Sequence, residues 1–279
     1  MRALRKPQHD ATSSFGLPAR AFRELADALG QAKRLLVYSG SGLSADSGLP
    51  TYRGEGKRLW TPELLVKVAT FEGFRANSEF ARAWYEEQGA RLSAARPHEG
   101  HRALRTIENW GQVTHVTQNV DRVLEQALAA RVLHIHGSFD SASCLACTHL
   151  WPAQRPPLTQ PCPKCGQTAL RPGIVMQGEV PPADVMDASF KAARAADLVL
   201  VVGTPAEMYP GAAIVEAAHD AGVPVCVINP EWCDNLYYAR WQLYGGAQEA
   251  LPALVAQAQS SRAQTDRPLP WFWRWVLQL

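Results

Sequence analysis

Two Cys-x-x-Cys pairs, Cys144 with Cys147 and Cys162 with Cys165, stand fourteen residues apart, and Gly166 closes the second. Each pair makes a tight turn that points two thiolates at one place, and two such turns complete a tetrahedral zinc site. With sulfur at all four positions the metal is expected to be structural, because no position is left open for a reacting water. A second stretch with chemical content is Ser39-Gly40-Ser41-Gly42-Leu43-Ser44-Ala45, which follows the apolar run Leu35 to Tyr38. A strand that ends in a glycine-rich turn and re-enters a helix is where open α/β sheets hold dinucleotides. Gly40 and Gly42 permit the tight turn and let backbone N–H groups approach a pyrophosphate, and Ala45 takes the third small position, where a helix packs on its strand.

Three further groups close other apolar runs. Thr117-Gln118-Asn119-Val120-Asp121 offers amide and carboxylate groups suited to ribose hydroxyls and a carboxamide. His134-Ile135-His136-Gly137-Ser138 puts His136 at a strand end with room beside it at Gly137. Gly203-Thr204 and Asn229-Pro230-Glu231 each follow another run. Cys226 and Cys233 have no partner at metal-ligand spacing and read as packing cysteines, and His149 reads as a surface residue.

The elements that position these groups alternate. Helical spacing of Phe22, Leu25, Ala26 and Leu29 predicts a first helix. Helices are expected over 62–68, 78–95, 98–110, 121–130, 184–196, 212–221 and 251–258, and strands over 35–38, 113–117, 132–136, 198–202 and 223–228. Strands alternating with helices indicate a parallel sheet covered on both faces, and the wholly apolar Leu198 to Val202 suits its centre. The expected fold is therefore α/β, a Rossmann-like doubly wound parallel sheet with a helical insert and a smaller zinc-binding module. The sheet domain takes residues 18–58, 97–138 and 172–260, the insert 59–96 and the zinc module 139–171. Residues 1–17 are expected as a disordered tail and 261–279 as a Trp-rich C-terminal tail, its core running from Pro270 to Leu277 and packing onto the body or meeting a partner or membrane surface.

The chain has 279 residues, 47% hydrophobic and 19% charged, within the range of globular proteins. A net charge of +2 gives no basic face for nucleic acid and argues against a zinc-ribbon nucleic-acid binder. There is no apolar run of transmembrane length and no signal-peptide pattern at the start, and the cysteine usage fits a reducing compartment, so a cytoplasmic location is expected.

Taken together and in this order, the motifs resemble the sirtuins, NAD-dependent protein-lysine deacylases, over residues 20 to 258. The loop from Gly40 to Ser44 resembles Gly-Ala-Gly-x-Ser, Thr51-Tyr52-Arg53 resembles Asp/Thr-Phe-Arg, and Gln118-Asn119-Val120-Asp121 resembles Gln-Asn-Ile-Asp. His136-Gly137 matches the catalytic His-Gly, and Gly203-Thr204 begins the Gly-Thr-Ser of the adenosine side. Asn229-Pro230-Glu231 resembles the Asn-x-Glu near the adenine ribose, Ala247 a late cofactor contact, and Arg171 to Glu179 the strand that pairs with substrate peptide.

The resemblance implies NAD as co-substrate, one structural zinc, and acylated lysine in protein or peptide as partner. It implies catalytic roles for His136, Asn119 and Asp121. Cofactor contacts are implied at Gly40, Ser41, Gly42, Ser44, Ala45, Thr51, Tyr52, Arg53, Gln118, Asn119, Val120, Asp121, Gly203, Thr204, Asn229, Pro230, Glu231 and Ala247. Substrate contacts are implied at Tyr85, Gln88, Gln177, Gly178 and Glu179.

Several positions depart from the pattern. Ser41 replaces alanine, Pro205 replaces the serine of Gly-Thr-Ser and removes a donor, and Gln177 replaces a phenylalanine before Gly-Glu. Thr51 and Tyr85 resemble the desuccinylating subgroup, but Gln88 stands where that subgroup has an arginine. Glutamine makes no bidentate charged pair with an acyl carboxylate, and Glu86 and Glu87 are expected to repel one, so weak desuccinylation is expected. A sirtuin-like ADP-ribosyltransferase or NAD hydrolase, and a zinc-containing NAD-binding interaction module with little catalysis, are the alternatives.

Overall fold

The computed structural model describes residues 13–51, 61–128, 130–152, 160–233 and 236–265. Residues 1–12 and the Pro270 to Leu277 segment, both assigned to tails, lie outside the described residues, as do Tyr52 and Arg53.

Strands β1 (Ser13–Ser14) and β2 (Leu17–Pro18) form a small antiparallel hairpin and lead into helix α1 (Ala19–Gln31). The hairpin corrects the expectation of a disordered tail through residue 17. Phe15 lies 6.3 Å from the Phe22 ring and its carbonyl accepts from Tyr244 N, so an apolar side chain and a backbone bond tie the segment down. Next come β3 (Arg34–Ser39), α2 (Pro62–Val68), α3 (Phe71–Ala76), α4 (Ser78–Ala94), α5 (Glu99–Ile107), β4 (Gln112–Thr117), α6 (Val123–Ala127) and β5 (Val132–His134). The second half holds β6 (Gly137–Cys144), β7 (Leu150–Pro152), β8 (Leu170–Ile174), α7 (Ala183–Ala195), β9 (Leu198–Val202), α8 (Ala212–Asp220), β10 (Val225–Asn229), β11 (Trp241–Tyr244) and α9 (Ala247–Thr265).

Six strands make one parallel sheet in the order β11-β10-β9-β3-β4-β5. Buried residues of α1, α5 and α9 cover one face through Leu25, Leu29, Leu104 and Leu254, and buried residues of α7 and α8 cover the other through Met186, Ile214 and Val215. Every residue of β9 is buried, as its unbroken apolar run requires. The chain proceeds from β3 to β4 on one side and returns to β9 on the other, so the carboxyl ends of β3 and β9 flank the point where strand order reverses. A doubly wound sheet opens a crevice for ligands at that point.

Beside the sheet, β7, β6 and β8 form an antiparallel three-stranded sheet. Its Phe139 packs with Val68, Phe74, Ala81 and Tyr85 of the helical insert and with Met176, so insert and zinc module share one core rather than forming two units. The boundary at 171/172 also moves, because β8 runs through Ile174 as part of the small sheet. Helix α9 continues through Thr265, beyond the tail boundary set at 261, and Arg262 Nη1 donates to Gly30 O and stacks over Trp110. Helix α6 is shorter than the 121–130 expectation, since Asp121 caps it from outside by accepting from Val123 N.

Candidate active site at the switch point

β3 delivers Ser39 and the glycine loop to the crevice. Gly40 N donates to Val202 O (3.0 Å) and Gly42 N to Gly203 O (2.9 Å), so these N–H groups tie the loop to the end of β9. The N–H groups of Gly40 and Gly42, expected to face a pyrophosphate, are spent on the neighbouring strand, and these glycines act through close approach. A Cβ on Gly42 would lie 2.7 Å from Gly203 Cα, and one on Gly203, whose φ is +64°, would lie 2.3 Å from Leu43 N. The loop continues as two short 3-10 turns, Ser41–Leu43 and Ala45–Ser47, where a helix was expected. Ser41, Ser44, Asp46 and Ser47 are residue types of low helix propensity, and Gly48 at φ +85° ends the turn. Ala45 is therefore part of a turn and packs no helix on the strand.

The turn after β4 brings Gln118, Asn119, Val120 and Asp121 against this loop. Thr204 Oγ1 donates to Gln118 Oε1 at 2.8 Å, joining the ends of β9 and β4. Asn119 Nδ2 donates to Gly40 O and to Ser44 Oγ, both at 3.1 Å, and Ser44 Oγ donates to Asp121 Oδ2 at 3.0 Å. Ser44, Asn119 and Asp121 are all buried, and burial raises the Asp121 carboxyl above its ordinary range. Val120 O accepts from Phe139 N and fastens the turn to the small sheet.

His136 follows β5, its carbonyl accepting from Val175 N at 2.8 Å. Beside it Gly137 has φ +73°, and a Cβ there would lie 2.2 Å from Gly173 O, so only glycine lets β6 leave beneath the histidine. Burial lowers the His136 imidazole below its ordinary value, which keeps the ring neutral at pH 7 and able to accept a proton.

Tyr85 is wholly buried among Phe74, Trp84 and Phe139, and its hydroxyl donates to Val68 O at 2.8 Å. Gln88 is buried one turn further along α4. Glu86 and Glu87 are exposed, and Glu87 pairs with Arg91 on the outer face, which corrects the expectation that they repel an acyl carboxylate. Gln177 N donates to Ala69 O and links the insert to the 175–179 segment. Gly178 turns at φ +89°, and Glu179 folds back onto Arg171 and Met176 N, so its carboxylate shapes the segment.

On the far side of the crevice Asn229 Nδ2 donates to Glu231 O (3.0 Å) and approaches Cys233 Sγ (3.4 Å), while Pro230 and Glu231 are exposed. Ala247 opens α9 and is buried. Thr51 is the last described residue of its loop.

The four cysteine sulfurs Cys144, Cys147, Cys162 and Cys165 lie within 4.8 Å of one another, with Cys144 to Cys165 at 3.6 Å and Cys147 to Cys162 at 3.7 Å. Four sulfurs about 2.3 Å from one zinc sit roughly 3.8 Å apart, so the donor set fits a closed tetrahedral site. His149 stacks on Trp151 and stands outside this set.

Two supports have no signal in residue spacing. His98 Nε2 donates to Leu43 O at 2.7 Å while its Nδ1 accepts from Gly100 N, so the start of α5 holds the glycine loop. His134, quoted in the sequence only as a neighbour of His136, bonds to Asn119 O and Glu125.

A family model described as the Sir2 family matches residues 40–210. The chain is 37% identical over 230 residues to an NAD-dependent protein deacylase of Caulobacter vibrioides, covering 80% of this chain and 95% of that one. It is 31% identical over 241 residues to NAD-dependent protein deacylase 1 of Archaeoglobus fulgidus, covering 85% and 98%. A solved Sir2 homologue mutant in complex with ADP-ribose superposes with a TM-score of 0.81 at 31% identity, covering 88% of this chain and 98% of that one.

Proposed function

This chain belongs to the Sir2 family, and from that premise we infer that it is an NAD-dependent protein-lysine deacylase. The observation that supports it most directly is the bonded cluster of Asn119, Ser44 and Asp121 at the switch point, with His136, whose imidazole burial holds below its ordinary value, following β5. The crevice suits a dinucleotide because Gly40, Gly42 and Gly203 let the β3 and β9 loops close together at the switch point, and because buried amide and carboxylate groups converge there.

When bound, NAD supplies a ribosyl carbon that accepts the acyl oxygen as nicotinamide departs. Asn119 and Asp121 fix the nicotinamide end and its ribose in a pocket shielded from water. His136 takes a proton from a ribose hydroxyl at a ring nitrogen, which lets that oxygen attack the acyl carbon. Gln118 and Thr204 keep the two strand ends at one spacing, and Asn229, Glu231 and Ala247 serve the adenosine side. The four cysteines hold zinc as a structural ion, a role that needs reduced thiols and supports a reducing compartment such as the cytoplasm. Among the described residues no helix is long and apolar enough to cross a membrane.

The acyl chain is neutral in this reading. The Tyr85 hydroxyl is engaged by Val68 O, and Gln88 brings no positive charge to a buried position. Incubating the protein with NAD and acetyl-, longer acyl- and succinyl-lysine peptides, with mass analysis of products, tests this. Free lysine with O-acyl-ADP-ribose from the neutral peptides is the expected result. Nicotinamide release without deacylation would point to ADP-ribosyl transfer or NAD hydrolysis, and faster turnover of succinyl-lysine would reject the neutral preference.

A further inference from the structure

His134 ends β5 with each ring nitrogen 2.7 Å from an oxygen, Nδ1 from Asn119 O and Nε2 from Glu125 Oε1. A carbonyl oxygen only accepts, so Nδ1 carries a hydrogen. From this arrangement we propose that His134 and Glu125 form a charged strut, the ring donating at both ends, which holds the Gln118 to Asp121 turn in its cofactor-binding shape. His134 is then a positioning residue for deacylation. The proposal rests on the reading of that turn as the nicotinamide end of an NAD site.

Asn119 O lies on the residue whose side chain binds Gly40 O and Ser44 Oγ, so a bond at the carbonyl sets the aim of the amide. The other end of the strut is α6, whose first turn Asp121 caps. One ring therefore fixes both edges of the segment that contains Asn119 and Asp121.

The charged groups around the ring are Glu125 of α6, Arg122 just before that helix, and Asp121 of the turn. Arg122 Nε is 3.8 Å from Glu125 Oε1, and its Nη1 donates to Asp140 Oδ2 at 2.9 Å. On the opposite face of β5, α7 packs against the apolar Leu133 and Ile135. Burial works against charge on both partners, but the Glu125 carboxylate, the Asn119 carbonyl and Asp121 outweigh it and raise the His134 pKa, while His134 lowers that of Glu125. Glu125 Oε2 is buried without a hydrogen-bond partner, which makes the carboxylate depend on the ring at its other oxygen.

The raised His134 pKa makes the strut depend on pH. The strut is complete below the ordinary imidazole value and is lost as pH rises through the higher folded-state value. Loss of the Nε2 proton leaves a lone pair facing a carboxylate oxygen, and the two groups separate. The turn loosens and NAD binds less tightly on the alkaline side.

The test uses the full chain. Nitrogen NMR of histidine-labelled protein at pH 7, assigned with His134→Gln, should show both His134 ring nitrogens protonated. In steady-state kinetics, Glu125→Gln should raise KM for NAD about tenfold with kcat within about twofold, and should flatten the alkaline rise in KM seen in the unaltered protein. A neutral His134 ring at pH 7, or a KM for NAD within twofold of the unaltered protein in a folded Glu125→Gln variant, would overturn the proposal. Should Glu125→Gln fail to fold, the ring measurement on the unaltered protein decides. Lack of any NAD turnover in the unaltered protein would instead count against the NAD reading, and the ring measurement would still decide whether the strut exists.

Discussion

Ser44 is a single hydroxyl shared by two buried side chains, accepting from Asn119 Nδ2 and donating to Asp121 Oδ2. Ser44→Ala leaves both buried and short of a partner, so it should cost about 1–3 kcal/mol in thermal unfolding and raise KM for NAD. His136→Ala should leave NAD binding measurable by calorimetry while stopping deacylation. Because burial lowers the His136 pKa, the acid limb of kcat/KM should fall below the ordinary imidazole value, and a limb at or above it would assign that limb to another group. The cysteine pairs, the glycines and His136 were legible because each stands in a short local pattern. Ser44 and His98 act through partners far away in sequence, and His134 through a turn and a short helix that fold back on its strand, so spacing says nothing about which groups the fold brings together. Glu179 shows the converse, since its place in a motif suggested substrate while its carboxylate holds Arg171.

At the scale of elements, the contact between the β3 and β9 loops is backbone against backbone. Gly203→Ala would place a Cβ 2.3 Å from Leu43 N at a positive φ, so it should lower stability by more than about 1 kcal/mol and weaken NAD binding, as thermal unfolding and calorimetry would read. The zinc module is coupled to the substrate side through the core shared by Phe139, Tyr85 and Met176. Chelation of zinc should therefore reduce deacylation as well as loosen β6 to β8, measured by zinc release alongside turnover. If activity survived complete zinc loss, that coupling would be refuted. Long periodic elements such as α1, α4 and β9 could be read from sequence. The hairpin at 13–18, α3 and β11 were missed because each is too short to establish a period and depends on what it packs against.

For the whole molecule, acid stability depends on a buried histidine packed against the one that holds the glycine loop. His101 is wholly buried, accepts from His98 N at Nδ1, and has its pKa pushed down to about 3 by burial and by the neighbouring His98 and Arg102. The unfolded chain binds a proton near the ordinary imidazole value and the native chain does not, so stability should fall as pH drops from there toward about 3. Urea unfolding of the unaltered protein and His101→Gln at pH 7 and pH 5 should show a smaller acid loss in the variant. The sheet order also has a consequence for biosynthesis. β3 is made early, pairs with β4 soon after, and waits for β9, since Leu35 is matched with Leu198. Until that late strand leaves the ribosome, one edge of β3, one of the two central strands, stays open, and the glycine loop has nothing to close against. An emerging chain would thus own most of the residues that line the crevice long before it could hold them in place, and it is in that interval that a chaperone would find it most exposed.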